Sequence, residues 1–119
     1  MAVVKAKKTF KETETELAEL LDALAHPARI AILSTLAKRG ECICGEIVEI
    51  VPLAQSTVSQ HLKKLRETGL IQGQIEGAKS CYCLDPKGVQ RLTSLFRLLQ
   101  LKLESGLPAE GAPVCKALP

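Results

Sequence analysis

The stretch QSTVSQHLKKLRETGLI, residues 55–71, decides how this chain is read. Val58, Leu62 and Leu65 recur at helical spacing, and Leu70 and Ile71 carry the apolar pattern past the helix end. The opposite face holds Gln55, Ser56, Thr57, Ser59, Gln60, Lys63 and Lys64, short hydrogen-bonding groups followed by cations. Gly69 is the predicted stop, because glycine enters the left-handed backbone without a side-chain clash. A narrow apolar stripe behind polar first turns suits a DNA major groove, where first-turn side chains meet base edges and lysines meet phosphate. The same pattern also describes an ordinary amphipathic surface helix, so its neighbours must decide.

Immediately upstream, residues 45–51 read as a short helix and residues 52–55 as a tight link, with Leu53 and Ala54 turned inward. Two short helices joined by a brief turn form a helix-turn-helix whose second member reads DNA. Downstream, residues 70–75 and 80–84 alternate around a glycine-containing turn and predict a hairpin. A hairpin in that place is a wing, with Lys79 at its tip as a phosphate contact and Glu76 beside it moderating the attraction.

Further out, residues 11–24 alternate Leu17, Leu20, Leu21 and Leu24 with Glu12, Glu14, Glu16, Glu19 and Asp22. That acidity turns the helix away from DNA. Pro27 opens a second helix that Gly40 ends, with Ile30, Ile32, Leu33, Leu36 and Ala37 as its apolar face. His26 reads as a helix-start or packing residue rather than a ligand, while Arg29 has two readings, a carboxylate partner or a phosphate. A short bridge over residues 41–43 precedes the helix-turn-helix. Asp85 and Pro86 open a last helix whose apolar face, from Val89 to Leu103, is wider than one small domain requires. With the leucine-rich first helix it predicts a homodimer, holding two readers about one DNA turn apart on a palindromic operator. The expected organisation is a flexible basic arm (1–10), a winged helix-turn-helix domain for DNA binding and dimerisation (11–106) and an irregular tail (107–119).

Composition narrows the function. A chain of 119 residues makes one domain. Only 3% of it is aromatic, too little for stacking on single-stranded nucleic acid, and a net charge of +3 draws anions weakly. No apolar run approaches the roughly 18 residues of a membrane span, and the expected location is the cytoplasm. An enzyme is not expected, for the chain offers no C-x-x-C pair and no acid–base constellation. A dimeric interaction module without DNA binding is the competing class, and the intact polar face of residues 55–64 argues against it.

These features together resemble the ArsR/SmtB family of winged-helix repressors. The likeness runs over residues 17–100, through LLDALAHPARIAILSTL, CICGEIVEIVPLAQSTVSQHLKKLRETGLI and EGAKSCYCLDPKG, and STVSQHLKKLRETGLI is its most specific piece. It implies a mainly α fold with a small β-hairpin, a homodimer, and release from DNA when an inducer binds. It places Ser56, Thr57, Ser59, Gln60 and Lys63 at the family's reader positions, and His61 where it either touches phosphate or packs at the edge. The family's sensor sites do not transfer. Aligning Glu46 with the family's acidic residue moves Cys42 and Cys44 one place early, and residues 89–106 contain no histidine or aspartate to match the zinc site of the last helix.

The cysteines therefore have to be read on their own chemistry. In winged helices the short strand before the helix-turn-helix pairs with the outgoing strand of the wing. Side chains alternate along a strand, so Cys42 and Cys44 share one side, as do Cys81 and Cys83. Pairing these strands would gather four sulfurs. Three readings stand: a site for zinc, arsenite or another thiophilic ion; thiol oxidation, including a disulfide; or passive packing as small hydrophobes. Cys115 is remote and lies in the tail.

Overall fold

The computed structural model describes residues 9–44, 51–74 and 81–111. Along the chain run α1 (Glu12–Leu24), α2 (Pro27–Arg39), β1 (Ile43–Cys44), α3 (Gln55–Glu67), β2 (Ile71–Gln74), β3 (Cys81–Leu84) and α4 (Pro86–Ser105). The described part is mainly helical with one small antiparallel sheet, an arrangement consistent with a winged helix-turn-helix. The residues 45–50 assigned to the first helix of the motif lie outside the described residues, as do the wing tip with Glu76 and Lys79, most of the basic arm, and Cys115.

Local chemistry accounts for the helix ends. The Lys11 backbone N–H donates to Glu14 Oε1 (3.1 Å) at the start of α1. At α2, His26 Nδ1 accepts from the Ala28 N–H (3.0 Å) and Pro27 fills the first turn, where its missing N–H costs nothing. Gly40, at φ +70°, closes α2. Asp85 caps α4 by accepting from the Lys87 N–H (3.1 Å). Gly69 stops α3 as expected, at φ +85°.

The core draws on every helix. Leu17, Leu20 and Ala23 of α1 meet Ile32 and Leu36 of α2, Val58, Leu62 and Leu65 of α3, Leu95 of α4, and Leu70, Ile71 and Tyr82 around the sheet. Each such leucine, isoleucine or valine stabilises the fold by about 1.5–3 kcal/mol. Two inward assignments are corrected. Leu53 is 37% exposed and Ala54 is exposed too, while Val51 fills the core position in the link. Ile30, at 51% exposure, lies outside the buried stripe of α2.

The sheet order is β1-β3-β2. Ile43 stands opposite Tyr82 and Cys44 opposite Cys81, so β1 begins at Ile43, later than the bridge read from sequence. The buried Ile43–Tyr82 pair sets that register, leaving Glu41 exposed. On the other edge β2 pairs with β3 from Ile71–Leu84 to Gln74–Cys81. One sheet face, with Ile43, Tyr82 and Ile71, is core. The other carries the cysteines with Gln72 and Gln74. Gly73 has φ +123°, and a Cβ there would overlap the Cys81 carbonyl oxygen.

The start of α4 is seated on the end of α3. The Asp85 N–H donates to the Leu70 carbonyl (3.0 Å), and a Cβ on Gly88 would overlap the Gly69 carbonyl. From there α4 runs along α1, where Arg91 forms a two-pronged ion pair with Glu16 (Nε–Oε2 2.7 Å). That guanidinium holds the Glu16 carboxyl below its ordinary range, mainly by hydrogen bonding, with its charge adding to this against a partial loss of solvent. Beyond Leu99 every residue of α4 is exposed, including Leu101 and Leu103. Among the described residues no single helix is long and apolar enough to cross a membrane.

Candidate nucleic-acid interface and thiol site

Helix α3 separates the predicted reader residues into groups. Val58, His61, Leu62 and Leu65 are buried. Gln55, Ser56, Gln60 and Lys63 are exposed, and Thr57 and Ser59 half-buried. Ser56, Gln60 and Lys63 recur at i, i+4 and i+7, so they form one outward line. Ala54 precedes the helix with no side-chain cap, which leaves the first backbone N–H groups facing outward without one. Such an end attracts an anionic oxygen.

One sequence assignment changes and one open reading is decided. Lys64 is turned towards α1, with its ammonium 3.6 Å from Asp22 Oδ2, so its charge is shared with a carboxylate. His61 takes the packing option. It is 9% exposed, its Nδ1 accepts from Arg29 Nε (3.2 Å), and its ring lies 4.3 Å from that of His26. Burial first, then the neighbouring His26 and Arg29, keep its pKa below the ordinary histidine value. Arg29 makes its contacts within the protein, and among the described residues none of them is to a carboxylate. It donates to the Asp22 and Ala23 carbonyls at the end of α1 (3.2 and 3.3 Å) and to His61. Arg66, near the end of α3, donates to the Gly73 carbonyl (3.0 Å) and so fastens the reader to β2.

The sulfurs do come together, as two couples. Cys42 and Cys83 have Cα atoms 4.2 Å apart, and Cys44 and Cys81 4.0 Å, each couple at disulfide-bonding distance. The cause is register. Antiparallel strands bring non-hydrogen-bonded pairs closest, with side chains adjacent, and both couples occupy that spacing on either side of Ile43–Tyr82. Cys42 and Cys44 are exposed and Cys81 and Cys83 half-buried, so packing as small hydrophobes does not describe them. The four sulfurs are disposed two by two rather than as one group of four. Among the described residues no group of three or more His, Cys, Asp or Glu side chains is disposed to hold a metal.

Residues 26–72 match the model of the bacterial regulatory proteins of the arsR family. A biofilm growth-associated repressor of Agrobacterium fabrum is 38% identical over 90 residues, covering 75% of this chain and 76% of that protein. The chain belongs to the ArsR/SmtB family of winged helix-turn-helix transcriptional regulators. The transcriptional repressor PagR of Bacillus anthracis is 36% identical over 83 residues, 70% of this chain and 83% of PagR. Among solved structures, reduced HlyU from Vibrio cholerae superposes with a TM-score of 0.56 at 28% identity, covering 76% of this chain and 92% of that one. Membership makes the protein a DNA-binding regulator and not an enzyme.

The arsR match begins at His26 and ends at Gln72, so it takes in the reader and β1 but stops short of Cys81 and Cys83. The thiol couples thus join a matched segment to one outside the match. Sequence reading missed the Lys64–Asp22 pair and the Arg29 contacts, because each joins residues on different helices whose packing no local pattern encodes. The gathering of the four cysteines on one sheet face was legible from strand alternation, whereas which sulfur meets which is set by the register of β1 on β3.

Proposed function

We propose that this protein is a homodimeric, sequence-specific DNA-binding repressor in the cytoplasm, whose hold on a palindromic operator is relaxed by oxidation of Cys42–Cys83 and Cys44–Cys81. Its reader surface is Gln55, Ser56, Thr57, Ser59, Gln60 and Lys63, with Lys79 of the wing as a further phosphate contact. The observation that carries the thiol reading is the pair of couples at disulfide-bonding distance on the outer sheet face. A structure of similar fold, HlyU from Vibrio cholerae, is described in its reduced form, which is in keeping with this reading. The exposed Phe96, Leu98, Leu101 and Leu103 of α4 support a helical interface with a second copy.

The chemistry balances with a hydroperoxide as oxidant. One thiolate attacks the peroxide oxygen and becomes a sulfenic acid as the alcohol leaves. The facing thiol then displaces water, so each couple gives up two electrons and two protons. Two such bridges lock β1, which leads into the helix-turn-helix, to β3, which leads into α4. Oxidation acts by favouring a state in which the reader helices are misplaced for DNA.

The test is fluorescence anisotropy with a duplex selected from a random pool by the reduced protein. Oxidised protein should bind it at least about tenfold more weakly, the effect of a coupling near 1.4 kcal/mol. A variant with all four cysteines replaced by serine should bind alike with and without peroxide. Ser59→Ala and Gln60→Ala should erase sequence preference, while Lys63→Ala should weaken all duplexes and lower the salt slope by about one. Equal affinity of oxidised and reduced wild-type protein would sink the redox reading and leave the repressor reading intact.

A further inference from the structure

We infer that Arg29 is a positioning residue for the reader helix, tying the end of α1 to α3 through His61, and that this joint holds only while His61 is unprotonated. The inference rests on α3 being the DNA reader. Helix α1 has no basic residue in its own last turn. Arg29, from α2, supplies that charge by donating through Nη1 to the Asp22 and Ala23 carbonyls, while Nε donates to His61 Nδ1. One planar group therefore fixes three helices, and Lys could not replace it, having no fork of donors.

The chain has two histidines, and both lie in this joint with rings 4.3 Å apart. Each uses Nδ1 as an acceptor, His26 from the Ala28 N–H and His61 from Arg29 Nε. An imidazole that accepts at Nδ1 carries its proton on Nε2. A second proton on His61 must enter at Nδ1, which destroys that bond and sets a cation against Arg29. The charged groups around His61 are Arg29 and His26 from α2, Asp22 from α1 and Lys64 beside it on α3. Among the described residues the carboxylate here, Asp22, is already engaged by Lys64. A protonated His61 therefore gains no free counter-ion.

The sign follows. Because the fold holds His61 below the ordinary value of 6.5, protons favour the open joint. The joint is complete above that value and is progressively lost as the pH falls below it towards the lowered one. Arg29 and His61 should accordingly govern how firmly α3 is presented to DNA.

The experiment measures affinity for a duplex selected from a random pool by wild-type protein at about pH 7.5, using reduced protein throughout. Wild-type affinity should fall about tenfold between about pH 7.5 and about pH 5, as expected when one histidine gains a proton. In His61→Asn the amide oxygen takes the place of Nδ1 without titrating, so binding should change less than about twofold over that range. Arg29→Met should weaken binding about tenfold at about pH 7.5, the size of a lost charged hydrogen bond, and Arg29→Lys should not restore it. Nitrogen NMR of the imidazoles in wild-type protein gives a readout independent of any variant's folding: His61 should be the Nε2–H tautomer with a midpoint below the ordinary value. A His61→Asn protein that loses affinity on acidification as steeply as wild type, or an Nδ1–H tautomer at His61, overturns the inference alone. A wild-type protein that selects no sequence at about pH 7.5 overturns the reader assignment, and the inference with it.

Discussion

The two edges of the small sheet are built on different principles. The β2–β3 edge runs over four residue pairs, buries Ile71 and Tyr82, and admits no Cβ at Gly73. The β1–β3 edge has two pairs, too few to hold by backbone hydrogen bonds alone, and is flanked on its outer face by both cysteine couples. Packing holds the first edge, whereas the second has one buried pair, Ile43–Tyr82, and under the proposed oxidation gains the two sulfur bridges. The lesson is one of location: the cysteine couples flank the edge formed by the strand that leads into the helix-turn-helix, and the wing hairpin forms the other edge.

The strongest way to break the contrast is Tyr82→Ala. It removes the side chain that both edges share, and should destabilise the protein by about 3–5 kcal/mol in denaturant unfolding, in reduced and oxidised samples alike. A loss confined to one redox state would show that the edges are not held independently. Next in size, forming the couples should stabilise the oxidised protein by about 2–4 kcal/mol over the reduced. The closures span sequence separations of 41 and 37, one nested within the other, so the second bridge should add far less than the first. Removing only Cys42 and Cys83 by serine substitution should therefore retain most of the gain, measured as the midpoint difference with and without reductant.

The smallest effect sharpens the packing side. The Tyr82 hydroxyl is buried without a partner among the described residues. Tyr82→Phe should accordingly change stability at neutral pH by less than about 1 kcal/mol, in either direction. Burial pushes the Tyr82 phenol from 10.0 to about 12. A raised value means the fold prefers the neutral phenol, so its contribution is whole below pH 10.0 and lost as pH climbs towards about 12. Alkaline titration of stability should show that loss in wild type and not in Tyr82→Phe.

Much of this was legible in the residues. The period of Val58, Leu62 and Leu65 placed α3, Gly69 and Gly40 marked ends with a left-handed backbone, and alternation in CYC put the cysteines on one face with Tyr82 on the other. Those signals are local, a few residues each. What escaped was set by helices meeting at a distance. Lys64 lies on the polar side of α3, yet its charge is taken by Asp22 because α1 crosses there. His61 reads as polar in sequence but is buried in the structure, where a neutral ring with a hydrogen-bond donor beside it can pack. Leu53 and Ile30 show the reverse, apolar residues on positions the core does not reach.

The backbone contact between Gly69 and Gly88 has a mechanical meaning. It is a pivot without side chains, placed where the reader ends and the longest helix begins. A helix of 20 residues is about 30 Å long. From Gly88 to Ser105 the arm is about 25 Å, so a rotation of about 5° there moves the far end by about 2 Å, the size of helix shifts at subunit interfaces. The join between α3 and α4 is thus set by backbone at this point, so a turn of α4 about it is felt most at the exposed far end of the helix.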